Sequence, residues 1–138
     1  MEQLEKNIKF FINLSRKLNI EKQVVFTGPR EDVDDFYTIS DIFLFPTHYD
    51  PFSNTVLEAM NFENAVFTTK QNGASEILDE NYIMDNPEDY IVASNINNLL
   101  SDQVKLNNIK QKNRLKSLEF SIEKNLSETL DIINEVIN

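Results

Sequence analysis

Apolar positions along the chain follow two rhythms. The first segment, LEKNIKFFINLSRKLNI, puts Leu4, Ile8, Phe11, Ile12 and Leu18 on one helical face. QVVFTG is instead short and continuously apolar, and it stops at Gly28-Pro29, which predicts a buried strand and a turn. REDVDDFYTIS predicts a short helix whose acidic first turn suits the helix dipole. DIFLFP predicts a second buried strand, ended by Pro46. SNTVLEAMNF then reads as a helix, AVFTT as a third strand, and GASEILD as a short helix beginning near Ser75. NYIM and YIV predict a fourth and a fifth short strand.

From SNINNLLSD onward the pattern is helical and polar. Leu99, Leu100, Val104, Ile109 and Leu115 supply intermittent apolar positions. NRLKSLEF is mixed, and SIEKNLSETLDIINEVIN spaces Ile122, Leu126, Leu130, Ile133 and Ile137 as a helix does. No internal repeat or low-complexity tract interrupts the chain.

Short, continuously apolar strands alternating with helices predict a mostly parallel sheet covered on both faces: an α/β, Rossmann-like, three-layer domain with C-terminal helices. Ligands of such open sheets bind beyond the carboxyl ends of the strands. Three loops belong there: GPRED, THYDPFSN and KQNGAS.

Composition narrows the class. The chain has 138 residues, the length of one domain spanning residues 1–138, and 41% are hydrophobic, so it can bury a core. A net charge of −10 argues against nucleic acid or anionic lipid as a partner of the whole surface. It does not argue against a phosphate held locally at a helix N-terminus. There is no cysteine and a single histidine, His48, so thiolate and multi-histidine metal sites are not expected. The two glycines, Gly28 and Gly73, are too few for a glycine-rich phosphate loop. No signal peptide and no apolar run near ~18 residues is present, so the expected location is cytoplasmic.

The candidate chemistry lies in THYDPFSNTVLEAM, which carries Asp50 and Glu58. Asp50 before Pro51 fits an ordinary helix start, with Asp50 at the cap and Pro51 at the first helical position. It fits a ligand carboxylate equally well. Glu58 stands between Leu57 and Ala59-Met60, neighbours that predict partial burial and hence a partner, in the protein or on a ligand. The amides of Ser53, Asn54 and Thr55 can hold a phosphate or simply cap a helix. Lys70 and Arg30 are within reach of a phosphate in principle, and His48 reads as a loop residue. The pattern also admits a phospho-accepting receiver domain, with Asp50 as acceptor and Thr68 or Thr69 as switch hydroxyl. That class needs an acidic pair after a first strand and a lysine after the last, and neither stands at a matching place.

VVFTG, DFYTISDIFLFPTHYDPFSNTVLEAM and AVFTTKQNGASEIL together resemble the donor-binding half of the retaining GT-B glycosyltransferases, family 4, also called glycosyl transferases group 1. The family pattern is a strand ending in Gly, an acid-x7-Glu pair, EAMA.G.PV and GG..E. Asp50-x7-Glu58 with Ala59-Met60 matches the pair, and Gly73-Ala74-Ser75-Glu76 matches the last element. The variant YDPFSN with NGASE is most similar to bacterial lipopolysaccharide or capsule sugar transferases.

The resemblance implies a nucleotide diphosphate sugar as substrate and no metal or other cofactor. Asp50 would contact hydroxyls of the donor sugar, and Glu58 the ribose. Amides around Phe52, Ser53, Asn54 and Thr55 would hold the diphosphate, and the loop of Gly28, Pro29 and Arg30 would border the base. A glycan or lipid-linked acceptor would enter through an N-terminal domain absent from this chain. The full enzyme would be hexosyl-type and cytoplasmic, peripheral to the inner membrane face.

The departures also carry expectations. Asp50 is one methylene shorter than the family's usual Glu. NFENAV lacks the Gly and Pro of A.G.PV, which should alter the turn before the third strand. The family's preceding strand-helix-strand, with its Arg and Lys, has no counterpart, so the domain is incomplete relative to the full donor domain. The chain is expected to be part of a larger enzyme, inactive alone and prone to self-association through uncovered apolar surface. A non-catalytic binding module or partner subunit is the alternative.

Overall fold

The computed structural model describes the backbone of residues 2–137 and the side chains of residues 8–137. Two compact units emerge, residues 1–32 and 33–138.

In the first unit, α1 spans Glu2–Lys17. Its end is closed by Asn19 at φ 57°, with the Ile20 amide donating to Ser15 O and the Asn19 amide to Arg16 O. This is the left-handed closure that asparagine tolerates. Of the predicted face, Phe11 and Leu18 are more than half exposed, and Leu4 lies outside the described side chains. The predicted strand QVVFTG is a correction: residues 24–28 pair with no strand, and Val25 is 81% exposed. Strand-forming residues do not make a strand without a neighbour to take their amides and carbonyls.

The second unit is a layered α/β domain. Its sheet has the order β1-β2-β3 and is parallel throughout, with β1 at Ile42–Phe45, β2 at Ala65–Thr69 and β3 at Ile83–Met84. All of β2 is buried because it is the central strand. Its side chains alternate between the two faces. Val66 joins Tyr37, Val56, Ala59 and Met60, which come from α2 (Val33–Ile39) and α3 (Asn54–Asn61). Ala65 and Phe67 join Leu99, Leu106 and Ile109, from α4 (Ile91–Ser101) and α5 (Gln103–Ser117). DIFLFP is less buried than expected, with Leu44 43% exposed, since β1 ends the sheet order.

YIV is the second correction: Ile91 and Val92 open α4 rather than forming a fifth strand. The Asp89 carboxylate accepts the Ile91 amide at 3.0 Å, and this local bond turns the chain into a helix despite two β-branched residues. GASEI forms a 3₁₀ turn, Gly73–Ile77, starting slightly earlier than Ser75. The mixed NRLKSLEF stretch finishes α5 and adds a 3₁₀ turn at Leu118–Phe120. Helix α6, Ile122–Ile137, has its apolar stripe uncovered, from Ile122 at 82% to Ile137 at 77% exposure.

The turn after α3 keeps a left-handed residue without a glycine. Glu63 takes φ 58°, the Asn64 amide donates to Ala59 O, and the Glu63 amide to Met60 O. Asn64, fully buried, donates its Nδ2 to Tyr37 O and Phe62 O and accepts Asn113 Nδ2 on its carbonyl. Side-chain bonds thus hold a turn for which the sequence supplies neither Gly nor Pro.

Candidate functional site

The loops after β1 and β2 meet at the carboxyl edge of the sheet. Asp50 forms an isolated parallel bridge with Asn72: the Asp50 amide donates to Gln71 O at 3.2 Å, and the Gly73 amide to Asp50 O at 2.9 Å. The approach is so close that a Cβ on Gly73 would lie 1.9 Å from Pro51 O. Only glycine fits.

Buried hydroxyls tie these loops to the strands. Thr69 donates to Thr47 O at 2.6 Å and Thr68 to Phe45 O at 2.8 Å. Both threonines are fully buried, which leaves neither as an accessible switch hydroxyl of a receiver domain.

Asp50 is not the cap of α3. The helix begins four residues later with Ser53 at its cap position, and Pro51 stands outside it. The Asp50 carboxylate instead accepts the Phe52 amide at 3.1 Å, an Asx turn that holds the acid at the loop's surface. The Ser53 amide donates to Asn72 Oδ1 at 3.4 Å, and the Val56 amide turns back to Ser53 O. The amides of Asn54 and Thr55 open the helix, where no carbonyl one turn back exists to accept them. Ser53 and Thr55 hydroxyls lie 2.8 Å apart.

Glu58 is exposed, not partly buried. Its sequence neighbours Ala59 and Met60 are buried, but consecutive helical residues point about 100° apart, so they do not enclose it. Its partner is Tyr37, whose hydroxyl donates to Glu58 Oε2 at 3.3 Å. Tyr37 is nearly buried, edge-on to Phe43 at 5.6 Å and stacked on Phe62 at 5.8 Å. Burial and then the Glu58 charge push its hydroxyl up to about 12. The Tyr37–Glu58 bond escapes a sequence reading because it spans two elements. Of the role of Asn72 the sequence shows only a capping signal, Asn directly before a short helix, and its side chain does accept the Ala74 amide.

The basic candidates are already paired. Lys70 Nζ donates to Asp85 at 3.1 Å. Within the first unit, Arg30 forms a two-bond fork with Asp32 at 2.7 and 2.5 Å, holding that carboxyl below its usual range. Gly28, at φ 64°, and Pro29 belong to the same unit. His48 is 81% exposed, with Glu88 4.0 Å away, as a loop residue would be.

A groove of about 480 Å³ opens beside the start of α3, lined by Phe52, Asn54, Leu57, Phe120, Ile122 and Lys124 among others, with the Phe52 and Phe120 rings 6.1 Å apart. A slightly larger cavity, about 540 Å³, lies between Leu78 and α5 and touches none of the loop residues described above.

The geometry therefore puts the Asp50 carboxylate and the N-terminus of α3 on one edge, while Glu58 lies further along that helix and is bonded to Tyr37. Such an edge can accept hydrogen bonds from vicinal hydroxyls and stabilise a diphosphate.

The same fold occurs in solved structures. Alr3699/HepE of Anabaena, in complex with UDP, superposes with a TM-score of 0.83 at 23% identity over 95% of this chain and 38% of that one. Sucrose-phosphate synthase of Thermosynechococcus elongatus gives 0.81 at 18% identity, covering 94% of this chain and 34% of that one. The C-terminal domain of a glycosyl transferase group 1 family protein (LpcC) from Francisella tularensis gives 0.68 at 22%, covering 83% and 60%. This chain thus spans less than two thirds of the length of each. At these identities the likeness establishes the fold alone. No curated protein matches the chain. The model of the glycosyl transferases group 1 family, however, matches residues 5–116, most of the sequence, and on that ground the chain belongs to this family.

Proposed function

We propose that this chain is the donor-binding part of a retaining glycosyltransferase, which moves a hexose from a nucleotide diphosphate sugar to a glycan or lipid-linked acceptor. Asp50 contacts hydroxyls of the sugar, and Glu58 those of the ribose. The amides of Asn54 and Thr55 at the start of α3 hold the diphosphate, while those of Phe52 and Ser53 are taken by Asp50 Oδ1 and Asn72 Oδ1 and shape the loop. Charge developing on the departing diphosphate is stabilised by the N-terminus of α3, so no metal ion is required.

One observation carries the proposal. The Asp50 loop is locked onto Asn72-Gly73 so that its carboxylate and the start of α3 share one edge. Family membership supports it, and so does the binding of UDP and UDP-glucose by Alr3699/HepE. The YDPFSN and NGASE variants favour lipopolysaccharide or capsule synthesis at the inner membrane face. Acceptor binding is assigned to a further domain. The uncovered stripe of α6 is suited to cover by more protein, a second copy of the chain included.

Glu58→Gln tests the ribose assignment, because Gln still accepts from Tyr37. The variant should weaken binding of a ribonucleotide diphosphate severalfold and leave the 2′,3′-dideoxy analogue unaffected. Equal effects on both reject the assignment.

A further inference from the structure

We infer that Asn72 is a positioning residue for the donor loop: it touches no ligand, yet it fixes where the Ser53 amide, and with it the start of α3, stands. The inference rests on the reading of that loop as the donor site.

Asn72 is fully buried and joins three pieces of chain. Its Nδ2 donates to Thr68 Oγ1 at 3.0 Å. That hydroxyl donates onward to Phe45 O at the end of β1. Its Oδ1 accepts two amides, Ala74 at 3.0 Å and Ser53 at 3.4 Å. Its own amide donates to Thr69 O at 3.0 Å. One carboxamide thereby links the ends of both strands to the start of α3 and to the Gly73–Ile77 turn.

The chemistry explains why the side chain is an amide. Oδ1 must accept and Nδ2 must donate, at a place with no solvent to supply either bond. Alanine would leave the Ser53 and Ala74 amides and the Thr68 hydroxyl each short of a partner. Aspartate would still accept both amides, but it would bury a charge and lose the donor to Thr68. Serine is long enough to cap Ala74 and too short to reach Ser53 as well.

These differences separate positioning from mere support. Hydrogen exchange of the Ser53 amide and the affinity for UDP, the probe, are to be measured on the chain and its variants. Asn72→Ala should speed Ser53 exchange about tenfold and weaken UDP by a similar factor, as expected for one lost hydrogen bond. Asn72→Asp should restore both relative to Asn72→Ala, although its buried charge makes it the less stable protein. Unchanged Ser53 exchange in Asn72→Ala overturns the inference, as does an Asn72→Asp variant no better than Asn72→Ala. Should Asn72→Ala fail to fold, Asn72→Ser is expected to lose Ser53 protection while keeping that of Ala74, and intact Ser53 protection there overturns the inference. A wild-type chain that binds no nucleotide sinks the donor reading instead; Ser53 exchange then decides the role of Asn72 by itself.

Discussion

The carbonyl of Asp50 accepts the amide of Gly73 at 2.9 Å, and the space beside that bond excludes any side chain on Gly73. Two loops that are far apart in sequence therefore share one backbone surface, and the acid stands where that surface puts it. Gly73→Ala should force Pro51 away, lower stability by about 1–3 kcal/mol as overpacking does, and displace the Asp50 carboxylate. Thermal unfolding reads the first effect. Amide shifts of Asp50 and Phe52 read the second, and unmoved shifts contradict it.

The Tyr37 hydroxyl, buried and bonded to the Glu58 carboxylate, gives stability a pH dependence of definite sign. The folded-state pKa of Tyr37 is raised from 10 to about 12, so its stabilising contribution is fully present below pH 10. It is lost as pH rises from 10 through about 12. Spectrophotometric titration should show a tyrosine ionising at about pH 12 that disappears in Tyr37→Phe, beside Tyr82, whose hydroxyl burial also pushes up. The same substitution should cost about 1 kcal/mol, the worth of an ordinary hydrogen bond.

Glu63 occupies left-handed space at φ 58°, where the family pattern carries glycine. Glu63→Gly removes that strain while adding freedom to the unfolded chain, for a net gain of about 0.5–1 kcal/mol. Chemical denaturation checks it; a loss of stability would show that the Glu63 side chain contributes more than its backbone costs.

These sites show which parts of the molecule could be read in advance. AVFTT reads as a short β-rich strand in the sequence, and the structure buries all five residues as the centre of the sheet. QVVFTG has the same pattern and is not a strand, because the pattern cannot report whether a neighbour exists. Asp50 and Glu58 stood out by their spacing. Their surroundings did not: the sequence neighbours of Glu58 face elsewhere on α3, and the helix after Asp50 starts only at Asn54. Asn72, Tyr37 and Asn64 gain their roles from hydrogen bonds to other segments, Tyr37 to Glu58, Asn64 to Tyr37 and Asn72 to Ser53. A single sequence does not display such pairings.

The donor clamp is tested most directly by titrating a panel of nucleotide diphosphate sugars, and their parent nucleotides, into the chain and into Asp50→Asn under ligand-observed NMR. Asparagine can still accept the Phe52 amide, so the loop should hold its shape. At least one nucleotide sugar should show weak, saturable binding to the wild-type chain. Asp50→Asn should weaken that sugar nucleotide about tenfold, as expected for a charge-assisted hydrogen bond, and leave its parent nucleotide unchanged. No saturable contact with any donor, or an Asp50→Asn variant that binds the sugar nucleotide as well as the wild type does, would contradict the assignment of Asp50 to the donor sugar.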